Sequence, residues 1–203
     1  IGVVLLALSI GYYVGGRVAD RNEGKTAQKL LYPLILVTGI LVSLIPFVGK
    51  AVFMLAYEAI PDRSTSVFLA SFIATLILFT IPLILLGMVS PLAAKIGITK
   101  LESAGRVLGS LYAFSTVGSI VGTFIPVLLT IPFLGSRETF FLFGGVLITL
   151  GAIGTGRRLL LALLALPITF FALHAPIHAD PYVIYEDESV YNYIRVREDA
   201  ETG

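Results

Sequence analysis

Few side chains in this sequence could do chemistry, and most of them gather near its end. His174 and His178 are four apart, a spacing that lets two imidazoles share a metal on one helix face. Pro176 stands between them and disfavours that helix, so the pair reads as interfacial histidines and no metal is expected. Glu58 is the carboxylate that the sequence buries furthest in apolar surroundings. An intramembrane acid would handle protons or ions, but this one comes three residues before Pro61-Asp62-Arg63 and reads as solvated. Gly154-Thr155-Gly156-Arg157-Arg158 has the glycines and cations of a phosphate loop. The Lys-Ser/Thr pair such a loop needs does not follow. The chain has no Cys, hence no thiolate, disulfide or Cys-based metal site. No catalytic residue is assigned.

The elements around these residues are overwhelmingly apolar. Hydrophobic residues make up 57% of the chain and charged ones only 13%, where a soluble domain carries about a quarter. Mean hydropathy is +0.95, and several runs reach the ~18–20 residues that cross a bilayer. The pattern predicts an all-α integral membrane bundle of about six transmembrane helices, followed by a short β-hairpin. The spans run over 1–16, 30–48, 67–95, 103–130, 139–154 and 159–173. Residues 51–60 are too few to cross and read as a separate interfacial or re-entrant helix. The chain begins at Ile1 with no basic leader region, and both ends read as cut.

Small residues suggest where helices meet. Gly11 and Gly15 form a small-xxx-small pair that admits a neighbouring backbone. Gly105–Gly109 and Gly118–Gly122 repeat the pattern in the fourth span, with Ser110, Ser115, Thr116 and Ser119 between them. That span is expected at the centre of the bundle, or at a homodimer contact. Arg17, Arg21, Lys25 and Lys29 follow the first span, with Asp20 among them, and serve as a topology anchor. The bilayer is the principal partner. The basic residues are spread loop by loop, so no nucleic-acid partner is expected.

At Asp180 the composition changes. Seven of the chain's 13 acidic residues lie in its last 24 positions, interleaved with aromatic and β-branched residues that suit a pleated strand. Residues 182–185 and 191–196 read as strands around a Glu186-Asp187-Glu188-Ser189 turn. Such a hairpin cannot stand alone in water, so 1–176 reads as a membrane domain and 177–203 as the start of an extramembrane one.

Three segments carry a resemblance. The run from Tyr185 to Val196 is similar to the N-terminal hairpin of the spermidine synthase (polyamine aminopropyltransferase) family. Tyr185, Glu186, Ser189, Tyr191, Ile194 and Val196 match, while Val190 and Asn192 replace a Pro and a Gln. Gly15-Gly16-Arg17-Val18-Ala19-Asp20-Arg21 resembles the second helix of the membrane-bound members. The run Gly109 to Gly122, followed by Gly135-Ser136-Arg137, resembles a later helix and turn of the same proteins. The resemblance implies a membrane anchor for a Rossmann-like domain beyond Gly203, in which decarboxylated S-adenosylmethionine donates an aminopropyl group to a polyamine. It places Tyr191 and Asn192 beside the substrate, and it puts no cofactor in this chain. The Asn in place of Gln puts ordinary spermidine synthesis in question.

The alternative is a transporter, because Gly16-x-x-x-Asp20-Arg21 with Gly24-Lys25 also resembles the loop after the second helix of major facilitator proteins. Coupled carriers place titratable groups at the midplane, and the interiors of the third to sixth spans contain no Asp, Glu, Lys, Arg or His. If the basic first, third and fifth loops are cytoplasmic, six spans leave the tail outside a plasma or inner membrane. The aminopropyl donor is cytosolic, so the span count bears directly on the enzyme reading.

Overall fold

The computed structural model describes residues 1–60, 63–156, 183–188 and 193–197. Helix α1 (Gly2–Arg21) leads through Asn22 and Glu23 into α2 (Gly24–Glu58), and α3 (Arg63–Gly97) follows. A 3₁₀ turn at Leu101–Ser103 opens α4 (Ala104–Ile125). A π turn (Pro126–Thr130) then passes into the short α5 (Ile131–Leu134), and α6 (Ser136–Gly154) returns. Five of these segments are long and apolar enough to cross a membrane: Gly2–Arg21, Gly24–Glu58, Val67–Gly97, Leu101–Leu134 and Ser136–Gly154. The chain is a helical membrane protein. The sixth apolar run, 159–173, lies outside the described residues, as do His174 and His178.

The separate helix expected over 51–60 does not exist as such, because α2 continues through Gly49 and Lys50 to Glu58. Neither residue breaks a helix: Gly costs only ~1 kcal/mol there and Lys is a good helix former. Pro33 and Pro46 lie inside α2, and Pro82 and Pro91 inside α3. Membrane helices tolerate such prolines because neighbouring groups satisfy the freed carbonyls. At ~1.5 Å per residue α2 is ~52 Å long, well beyond the ~30 Å hydrocarbon core. Part of it must tilt or project.

The helices pack as a row, α1 against α3, α3 against α2, and α2 against α6. One face of α1 is buried, Ala7, Gly11, Gly15 and Ala19, a four-residue repeat that brings only small groups to α3. Where α1 ends, α2 begins and α3 ends, Ala19 and Ala27 close around Leu92, which is fully buried. On the other flank Phe141 of α6 is buried against Phe47, ring centroids 5.4 Å apart. The buried polar residues are Thr38, Ser43, Thr130 and Thr139, so no charged side chain is buried among the described residues. Thr38 returns its hydroxyl to the Leu34 carbonyl at 2.8 Å. The Thr130 and Thr139 hydroxyls meet at 3.0 Å, tying the π turn to α6.

The α5–α6 turn depends on Gly135, whose φ of 95° and ψ of 163° fall in a region essentially closed to residues with a β-carbon. Gly135→Ala should therefore destabilise the fold by ~1–3 kcal/mol. Thermal unfolding in detergent checks this against Ser136→Ala.

At the other end of the chain, strands β1 (Val183–Glu188) and β2 (Tyr193–Arg197) pair antiparallel. Glu186 stands opposite Arg195 and Glu188 opposite Tyr193, with an irregularity between Val183 and Tyr185. The expected turn residues Glu186, Asp187 and Glu188 thus belong to β1, and the connection falls at 189–192. Acidity marked them as a break, but all three have partners on the neighbouring strand, and strand preference yields readily to such pairing.

Candidate functional site: the basic membrane face and the helix contacts

The glycine contacts fix how the helices run. A β-carbon at Gly15 would stand 2.7 Å from Cα of Met88, and Gly11 abuts Ile84 and Gly87, so α1 and α3 are parallel. At Gly39 it would stand 2.7 Å from the Ile148 amide nitrogen, and at Gly151 2.6 Å from that of Leu36. Gly144 meets Ser43, and Gly154 meets the Tyr32 ring. As numbers rise on α2 they fall on α6, so these two helices are antiparallel.

With that polarity, the end of α1, the start of α2, the α3–α4 connection and the end of α6 share one membrane face. Arg17, Arg21, Lys25, Lys29, Lys95, Lys100 and Arg106 all stand there. The opposite face has Lys50, Arg63 and Arg137 among the described residues. The anchor residues Arg17, Asp20, Arg21 and Lys25 thus lie together at the α1–α2 turn. Arg17 lies over the Tyr13 ring at 4.3 Å, and Asn22 Nδ2 donates to the Val18 carbonyl at 2.7 Å. On the opposite face Arg137, in the Gly135-Ser136-Arg137 turn, sits over Phe141 at 5.6 Å and Phe47 at 6.0 Å. Glu58 closes α2 and is exposed.

Among the described residues the fourth span does not take the central place expected of it. No residue of α4 is buried, and α3 and α2 take the middle places of the row instead. A β-carbon at Gly105, Gly109, Gly118 or Gly122 would meet nothing within 4 Å. The two pairs do not even share a face: thirteen residues at ~100° each turn the second roughly 140° from the first. The expectation for Gly11 and Gly15, by contrast, describes the α1–α3 contact. Backbone contacts that sequence reasoning missed include Gly87 on α3 and Gly39, Gly144 and Gly151 between α2 and α6. Gly144 and Gly151 are seven apart, a coiled-coil seam spacing, and a search for four-residue glycine pairs passes over it.

Tyr191 and Asn192 lie outside the described residues, so the strands bring no substrate-contacting side chain into view. No group of three or more His, Asp or Glu that could hold a metal occurs among the described residues. No family model, curated protein or solved structure matches the chain.

Proposed function

We propose that this chain is the membrane domain of a spermidine synthase-like protein, lying in the plasma or inner membrane and anchoring an aminopropyltransferase-type domain that follows the hairpin 182–196. The observation that carries the reading is the order of three family-like segments. These are Gly15–Arg21, then Gly109–Gly122 with Gly135–Arg137, then Tyr185–Val196. In the described fold they stand at the end of α1, along α4 into the α5–α6 turn, and across β1 and β2. In the proposed reaction an amine nitrogen attacks the aminopropyl carbon of decarboxylated S-adenosylmethionine. The carbon–sulfur bond breaks, methylthioadenosine leaves, and the amine loses a proton. None of the residues here performs that step. Tyr191 and Asn192 would border the acceptor.

The test is to read the coding sequence beyond Gly203 and assay the protein it encodes. A Gly-rich loop after a strand and a later acidic pair, with methylthioadenosine released in step with polyamine formation, would establish the reading. A stop codon soon after Gly203 would sink it. So would a following domain that binds the donor but transfers nothing to any di- or polyamine. The transporter alternative would then be tested by substrate flux into liposomes. The absence of a buried charge among the described residues speaks against a proton- or ion-coupled carrier.

A further inference from the structure

A groove of about 420 Å³ opens sideways between α1, α3 and α4. Ala94 of α3 and Leu111 of α4 give it apolar walls, and Tyr12, Ser90, Tyr112 and Ser115 add hydroxyl groups. Elsewhere on α3 and α4, Ser71, Thr75, Thr116 and Thr123 return their hydroxyls to the carbonyl four residues back. Ser90 and Ser115 make no such bond among the described residues, so both retain a donor for something in the groove.

The groove lies just inside the basic membrane face. Ala94 precedes Lys95, and α4 enters the groove two residues after Arg106, with Lys100 in the connection above and Arg17 and Arg21 at the end of α1. Five cations, Arg17, Arg21, Lys95, Lys100 and Arg106, thus stand on the membrane face beside the groove, against Asp20, Glu23 and Glu102. Long Lys and Arg stems extend along apolar surface.

We propose that this groove holds an anionic phospholipid from the leaflet on the basic face. An acyl chain fits the apolar walls. The ester and phosphate oxygens only accept hydrogen bonds, which matches a lining that offers hydroxyl donors. The headgroup's net negative charge meets the cations above. Phosphatidylcholine has the same chains and esters, but its choline cancels the charge, so charge is the term that discriminates. The proposal does not depend on the enzyme reading.

The chain contains no Trp, so a single introduced indole reports its own surroundings. Leu108→Trp places it on the groove wall. Phe124→Trp places it on exposed α4 surface towards the other leaflet. Both variants of the full chain are reconstituted in phosphatidylcholine vesicles and titrated with dibrominated phosphatidylglycerol or dibrominated phosphatidylcholine. Quenching of Leu108→Trp is expected to favour phosphatidylglycerol about fivefold, the equivalent of roughly one surface cation. Phe124→Trp should show no preference, and Lys100→Gln with Arg106→Gln should abolish the preference at position 108. Equal quenching by both lipids at position 108 would overturn the proposal, leaving ordinary boundary lipid. An equal anionic preference at both positions would also overturn it, as general surface attraction. Quenching of Phe124→Trp alone would mean that protein fills the groove, and would overturn it as well.

Discussion

Gly144→Leu is expected to abolish the folded bundle, while Gly118→Leu leaves it essentially unchanged. At Gly144 even a β-carbon collides with Ser43 and stands 3.0 Å from the Gly39 carbonyl oxygen. The Ser43 hydroxyl can rotate aside, but the Gly39 carbonyl oxygen and the Ser43 amide nitrogen behind it, at 3.0 and 3.2 Å, are α2 backbone and cannot. Overpacking commonly costs ~1–3 kcal/mol, and here four further heavy atoms must enter a seam already closed on α2. Separation of α6 from α2 would also uncover Phe141 and loosen its contact with Phe47. At Gly118 the same substitution meets open space, and Leu is a better helix former than Gly by up to ~1 kcal/mol. Yield, monodispersity and melting temperature in detergent distinguish the two. If Gly118→Leu is as damaging as Gly144→Leu, another copy or segment covers α4. If Gly144→Leu melts like the parent, the α2–α6 seam is wrong.

The fold was legible where the bilayer imposes a strong condition and illegible where geometry decides between equivalent options. Runs such as 67–95 and 139–154 stand out because a membrane span needs about 20 apolar residues, and the helices there agree to within a few residues. The junction at Gly49-Lys50 misled, because a charged residue in an apolar run looks like an interface. A helix longer than the bilayer can simply place Lys50 beyond the hydrocarbon. Among glycines, spacing alone could not separate Gly11–Gly15, which packs, from Gly105–Gly109, which does not. Every helix in lipid has an apolar surface, so composition does not say which face meets protein. The informative signal was pairing between helices: Gly39 with Ser43 on α2 complements Gly144 with Gly151 on α6, and neither set is conspicuous by itself. For the candidate site, the basic face was readable from Arg17 to Lys29 because loop charge is independent of packing. The groove was not, because Tyr12, Ser90 and Ser115 come from three helices and meet only through the parallel course of α1 and α3.

Neutralising the α1–α2 turn should disturb the orientation of the whole row. Arg17, Arg21, Lys25 and Lys29 supply four of the seven described cations on the basic face, and Lys and Arg close to a span's end set its orientation. With all four changed to Gln, Lys95, Lys100 and Arg106 there face Lys50, Arg63 and Arg137 opposite, and the bias among described residues disappears. The chain lacks Cys, so single cysteines report sidedness without background. In the parent, Lys50→Cys should react with a membrane-impermeant maleimide on intact cells, and Lys100→Cys only after permeabilisation, since the basic face is retained in the cytoplasm. In the neutralised chain, labelling from outside should fall towards half at position 50 and rise to a comparable level at position 100. Asp20→Asn is the control, because acidic residues contribute little to orientation. Unchanged, one-sided labelling after neutralisation would show that the later connection or the segment beyond Gly156 sets topology. Labelling of Lys100→Cys from outside in the parent would reverse the assignment of the faces and place the end of α6 outside.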